Sequence, residues 1–94
     1  MSKMKIIRSN GSGVWAAEIV SRDGDTVVLK NAIRIWYWDG AASLSELAQT
    51  GTKKPETCRF CVPVDEVEVF NVIEIVSVTD KAEESIRGVT PWTA

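Results

Sequence analysis

The run Arg34-Ile35-Trp36-Tyr37-Trp38, then Asp39-Gly40 and Ser43-Leu44-Ser45-Glu46, holds the residues of this 94-residue chain best suited to recognition chemistry. Alternation along an extended segment puts Arg34, Trp36 and Trp38 on one face and Ile33, Ile35 and Tyr37 on the other. Indoles are flat apolar surfaces on which a planar ligand stacks, and a guanidinium beside them counters negative charge. The Asp-Gly turn feeds a helix start whose free N–H groups, with the hydroxyls of Ser43 and Ser45, favour an anion. Lys53, Lys54 and Arg59 are further cations downstream. Arg34, Trp36, Trp38, Ser43, Ser45, Lys53, Lys54 and Arg59 are therefore the candidate ligand-binding residues. Two features oppose this reading: Ser43 also serves as a helix cap, and Asp39 and Glu46 repel a phosphate.

A face bearing two tryptophans is unusual as free surface in a monomer. Three covers are open: the Ser43 helix or the tail with Trp92, a second subunit anchored by tryptophan and arginine, or a planar ligand. The second and third combine when a pocket forms between subunits, so a homo-oligomer is expected.

Catalysis has little support. The chain has no histidine, which removes Ser-His and Cys-His nucleophile pairs and imidazole acid–base chemistry. Asp65, Glu66, Glu68 and Glu74 alternate with apolar residues as solvated strand positions do. Gly11 and Gly13 lack the Lys-Ser/Thr that completes a phosphate-binding loop. Cys58 and Cys61 form one C-x-x-C in extended sequence, where residues three apart point to opposite faces, so both are expected to pack rather than to share a metal or a bridge. No catalytic residues, metal or cofactor are expected.

The bulk composition narrows the partners. Eleven basic against thirteen acidic residues, net charge −2, argue against duplex nucleic acid, which is held by a basic stripe. No apolar run reaches the length of a membrane span and no signal peptide opens the chain, which points to a cytoplasm where thiols stay reduced.

The elements that position the candidate residues are mostly β. Residues 5–8 and 14–21 predict two strands, and Asp23-Gly24 a hairpin turn into a third over 26–30. Asn31 breaks or bulges the chain before a fourth strand over 32–38. Ser43 and Glu46 fit a capping box ahead of a two-turn helix that Gly51 stops. Strand character resumes over 60–64 and 67–78, with a break near Asn71. Asp80 and Glu83 cap a last helix that packs Ala82 and Ile86 and ends at Gly88. The expected fold is a single α+β domain over 1–94: a small bent antiparallel sheet or partial barrel with two short helices. Its core should hold Ile6, Ile19, Leu29, Ile33, Ile35, Leu44, Leu47, Val67, Val69, Ile73, Ile75 and Ile86.

The segment NAIRIWYWDGAASLSELAQTGTKKPETCRFCVPV, preceded by SRDGDTVVLKNA, resembles a family of short proteins of unknown function encoded by tailed phages and prophages. The likeness runs over residues 14–88, and IWYWDGAASLSELA is its most specific part. It implies a phage gene acting in the cytoplasm of an infected bacterial host, and brings no catalytic residues with it. In that setting the expected function is a non-enzymatic sponge for a nucleotide-derived immune signal, such as a cyclic nucleotide or cyclic ADP-ribose. The alternatives are an adaptor that binds a host or virion protein through the tryptophan face, and an accessory virion component.

Overall fold

The computed structural model describes residues 2–94. In chain order the elements are β1 (Met4–Ser9), β2 (Gly13–Asp23), β3 (Thr26–Tyr37), α1 (Leu44–Thr50), a 3-10 turn (Pro55–Thr57), β4 (Arg59–Phe60), β5 (Val64–Val69), β6 (Val72–Ser77) and α2 (Asp80–Arg87). The strands form one antiparallel sheet in the order β4-β3-β2-β1-β6, with β5 also paired along β3.

That order demands strong curvature. β5 lies beyond β3 and β6 beyond β1, yet only Phe70 and Asn71 separate them in sequence. The sheet therefore bends until its two sides approach, and Asn71 makes the turn with φ +57°. Its carbonyl accepts from the Asn10 N–H at 2.9 Å, and the next N–H, of Val72, donates to Asp25 at 2.9 Å. These bonds tie both hairpin turns of the β1-β2-β3 meander to the β5–β6 link.

Both faces of the bent sheet are apolar. One packs Met4, Ile6, Ala16, Ile33, Ile35 and Phe60 against Leu47 and Ala48 of α1 and Ala82 and Ile86 of α2. The other folds on itself around Ile7, Trp15, Ala17, Val27, Leu29, Ala32 and Val69. A sheet buried on both sides has no clean polar alternation, which is why Met4, Ile7, Trp15 and Val27 join the core without having been expected there. β3 serves both faces because of Asn31. Its φ of +50° marks a bulge that reverses the alternation, so Val27 and Leu29 point to one cluster and Ile33 and Ile35 to the other. The expected third and fourth strands are thus one strand with a kink.

Other boundaries shift slightly. Ser43 caps α1 by accepting from the Glu46 N–H at 3.1 Å, and Glu46 reaches back to the Ala42 N–H, one residue earlier than in the usual box. Thr79, rather than Asp80, caps α2, accepting from the Ala82 N–H, and its own hydroxyl donates to the Gln49 carbonyl at 2.7 Å. The cap therefore also joins α2 to α1. Of the expected core, Ile73 is displaced: it is 61% exposed on β6, the sheet edge beside β1. Ile19, Leu44, Val67 and Ile75 are half-buried against the core. Among the described residues no helix is long and apolar enough to cross a membrane.

Candidate functional site

β3 ends on the outer surface with Trp36 and Tyr37 exposed. The short strand β4 lies beside it, pairing Phe60 with Ile35 and Arg59 with Tyr37, and the Cys61 N–H donates to the Arg34 carbonyl at 2.9 Å. Phe60 points inward and is buried, so its neighbour Arg59 points out. The tail then returns along the far side of β4. The Trp92 N–H donates to the Phe60 carbonyl at 2.8 Å, and a parallel bridge joins Trp92 to Cys61.

This backbone arrangement lays the Trp92 indole on Trp36, ring centroids 5.0 Å apart and planes 26° from parallel. The Arg59 guanidinium carbon lies 5.5 Å from the Trp36 centroid and 5.3 Å from that of Trp92. Beside them opens a groove of about 660 Å³ lined by Trp36, Tyr37, Trp92, Arg59, Glu56 and Thr57.

Arg59 is distinguished by what it lacks. Arg8 pairs with Glu74 and Arg87 with Glu83, while Arg22 and Arg34 donate to the Gly24 and Ser12 carbonyls. Among the described residues, Arg59 alone of the arginines has ring contacts but no hydrogen-bond or ion-pair partner. Its N–H donors are left to solvent or to a ligand, beside two stacking surfaces.

The loop under the groove is held by Asp39. Its carboxylate accepts from the Gly40 N–H at 2.8 Å and from the Thr57 hydroxyl at 3.0 Å, and its carbonyl accepts from the Thr52 hydroxyl. The Gly40 bond first and then the Thr57 bond hold the Asp39 carboxyl below the usual carboxylate range, and the charge of Lys54 adds to them. Gly40 adopts φ +79° against the next segment, where a Cβ would sit 2.4 Å from the Lys54 amide nitrogen. Only glycine fits there. The buried Cys58 thiol accepts from the Asp39 N–H at 3.4 Å and lies 3.4 Å from the Asp39 carbonyl and 3.6 Å from that of Lys54. It packs, as expected, but it also joins the two loop segments.

A family model described as Domain of unknown function (DUF6948) matches residues 2–86. The chain belongs to that family. The DUF6948 match spans the sheet, α1 and almost all of α2, includes Trp36 and Arg59, and stops before Trp92. No curated protein and no solved structure matches the chain.

In this DUF6948 domain only Trp36 and Arg59 of the residues expected at the site line the groove together. Arg34 is turned toward the β1–β2 turn, its guanidinium 4.1 Å from the Trp15 centroid and donating to the Ser12 carbonyl at 2.9 Å. Trp38 leaves the outer face altogether. The β3–β4 register shifts between Ile35 and Tyr37, and Trp38 packs half-buried against the helix-side core. Ser43 is engaged as the α1 cap, and Ser45 is exposed. Lys53 and Lys54 are exposed on the loop that Gly40 abuts and do not line the groove. Tyr37, Glu56, Thr57 and Trp92 also line the groove; of these only Trp92, in the tail that is one of the three possible covers for the tryptophan face, has a sequence signal pointing to it.

Proposed function

We propose that this DUF6948 domain is a non-catalytic binding protein that captures a planar, anionic, nucleotide-derived small molecule against Trp36, Arg59 and Trp92. The observation that carries the reading is the Arg59 guanidinium, lying along two partly exposed indoles with no protein acceptor among the described residues. An aromatic surface beside an unpaired guanidinium suits a base next to a phosphate: stacking contributes about 1–3 kcal/mol per base, and a charge-assisted hydrogen bond about 1.5–3 kcal/mol. The resemblance to tailed-phage proteins supplies a setting: the cytoplasm of an infected bacterium, where a sponge for a cyclic-nucleotide or cyclic ADP-ribose signal would blunt a defence response.

The test is a thermal-shift screen across cyclic di- and trinucleotides, cyclic ADP-ribose isomers and NAD derivatives. A ligand at a hundred times its Kd adds about 2.7 kcal/mol of stability, or roughly 10 °C or more for a domain of this size. Arg59→Ala should weaken the hit by roughly ten- to a hundredfold, and intact ligand should be released on denaturation.

The same surface favours a second reading. Tryptophan, tyrosine and arginine are the residue types that anchor protein interfaces, and Trp36, Tyr37 and Trp92 are all exposed here. An adaptor would give no small-molecule shift but would capture one host or virion protein through Trp36. A second copy docking on this face would register by light scattering as a molar mass above one chain at micromolar concentration.

A further inference from the structure

We infer that Glu56 makes the groove selective for guanine among the nucleobases, an assignment that rests on the nucleotide-binding reading above. Glu56 lines the same groove as Arg59, and neither side chain has a hydrogen-bond or ion-pair partner among the described residues. They do not pair with each other either, although they lie three positions apart. One groove thus presents an unpaired carboxylate and an unpaired guanidinium beside two indoles.

The carboxylate is not on a loose loop. Glu56 is the middle residue of the 3-10 turn, with proline leading it. The turn is closed by the Thr57 N–H donating to Lys54 at 3.1 Å and the Cys58 N–H donating to Pro55 at 3.3 Å. The Thr57 hydroxyl ties it to Asp39, and the buried Cys58 thiol anchors its far end.

An ionised carboxylate only accepts hydrogen bonds, and it accepts two in parallel when the partner offers adjacent N–H groups. The pairing edge of guanine does so, with its ring N1–H beside its exocyclic amino group. Adenine and cytosine each set one amino group beside a ring nitrogen whose lone pair would face the carboxylate. Uracil and thymine flank a single N–H with two carbonyl oxygens. The opposite charges also set the direction of binding: Glu56 repels the phosphate and takes the base edge, and Arg59 takes the phosphate.

The experiment is a calorimetric titration of the full chain with guanosine, inosine and adenosine 5′-monophosphates at one fixed salt concentration, repeated with Glu56→Gln and Arg59→Ala. The inference predicts that the guanosine nucleotide binds at least about tenfold tighter than the adenosine nucleotide, with inosine, which lacks the amino group, between them. Glu56→Gln, an exposed substitution that should keep the melting temperature, should remove this preference by weakening guanosine monophosphate, while adenosine monophosphate binds no more weakly than before because the carboxylate no longer faces its ring lone pair or its phosphate. Arg59→Ala should weaken every nucleotide. Equal affinities for guanosine and adenosine monophosphates that fall together in Arg59→Ala would overturn the role of Glu56 and leave the ligand class standing. Binding of none of the three would overturn the role of Glu56, and failure of the wider screen as well would overturn the ligand class.

Discussion

Trp92, in the tail, stacks on Trp36 at the end of β3 with ring centroids 5.0 Å apart. The contact covers part of an indole that is still 58% exposed, and it is held by the backbone bond from Trp92 to Phe60. Aromatic pairs of this kind contribute about 0.5–1.5 kcal/mol beyond the area they bury. Trp92→Ala should therefore lower the melting temperature by roughly 2–12 °C and abolish the coupled-indole signal in the far-ultraviolet circular dichroism spectrum. An unchanged spectrum would mean that the two rings do not stack in solution.

Gly40→Ala should be among the most damaging single substitutions in the chain. The new Cβ would press on the Lys54 amide, the Lys53 amide and the Thr52 hydroxyl, and the backbone there is left-handed. Gly11→Ala is the control, because Gly11 also has positive φ but nothing lies within 4 Å of its Cβ position. Urea denaturation should show a loss of about 1–3 kcal/mol or more for Gly40→Ala and a smaller one for the control.

Acid should weaken the fold through two carboxylates. Asp39 is held below its ordinary range chiefly by the Gly40 N–H, and Glu83 chiefly by the Ser2 hydroxyl and then Arg87. A carboxyl depressed in the folded state contributes stability that is present above its unfolded value and lost as pH falls through the folded one. With unfolded values of about 3.9 for Asp and 4.3 for Glu, the melting temperature should hold from neutrality to about pH 5 and decline below about pH 4. Asp39→Asn and Glu83→Gln should each make that acid decline shallower.

The two cysteines should behave differently. Cys58 is buried and bonds across two loop segments, whereas Cys61 is half-buried. Cys58→Ala should cost about 1–3 kcal/mol in denaturant unfolding, because it leaves the Asp39 N–H without its acceptor, and Cys61→Ala should cost clearly less.

The parts of the fold that were legible in sequence are those governed by local chemistry. Asp23-Gly24 made its hairpin, Ser43 with Glu46 started a helix that Gly51 ended, and Asn31 and Asn71 marked a bulge and a turn. What could not be read depended on long-range geometry. The burial of both sheet faces hid Trp15 and Ile7 from a two-sided alternation pattern, and the register shift after Ile35 sent Trp38 to the helix side rather than outward. The groove depends on the same long-range geometry. Trp36 stands out in the sequence by its neighbours, but Arg59 and Trp92 reach it only through the pairing of β4 with β3 and of the tail with β4. Arg34, two positions from Trp36, is drawn instead to Trp15.

The central claim, that a nucleotide-like ligand sits on Trp36, Arg59 and Trp92, is tested most directly by the indole N–H signals of the four tryptophans. Resonances assigned by single substitution in a ¹⁵N-labelled sample would be followed during titration with the best ligand of the thermal-shift screen. The account predicts that the Trp36 and Trp92 signals and the Arg59 side-chain signal move together and saturably. Those of Trp38, packed against the helix-side core, and Trp15, buried beneath Arg34, should stay in place. Movement of the Trp15 signal while Trp36 and Trp92 remain fixed would put the ligand at Arg34 and contradict the account.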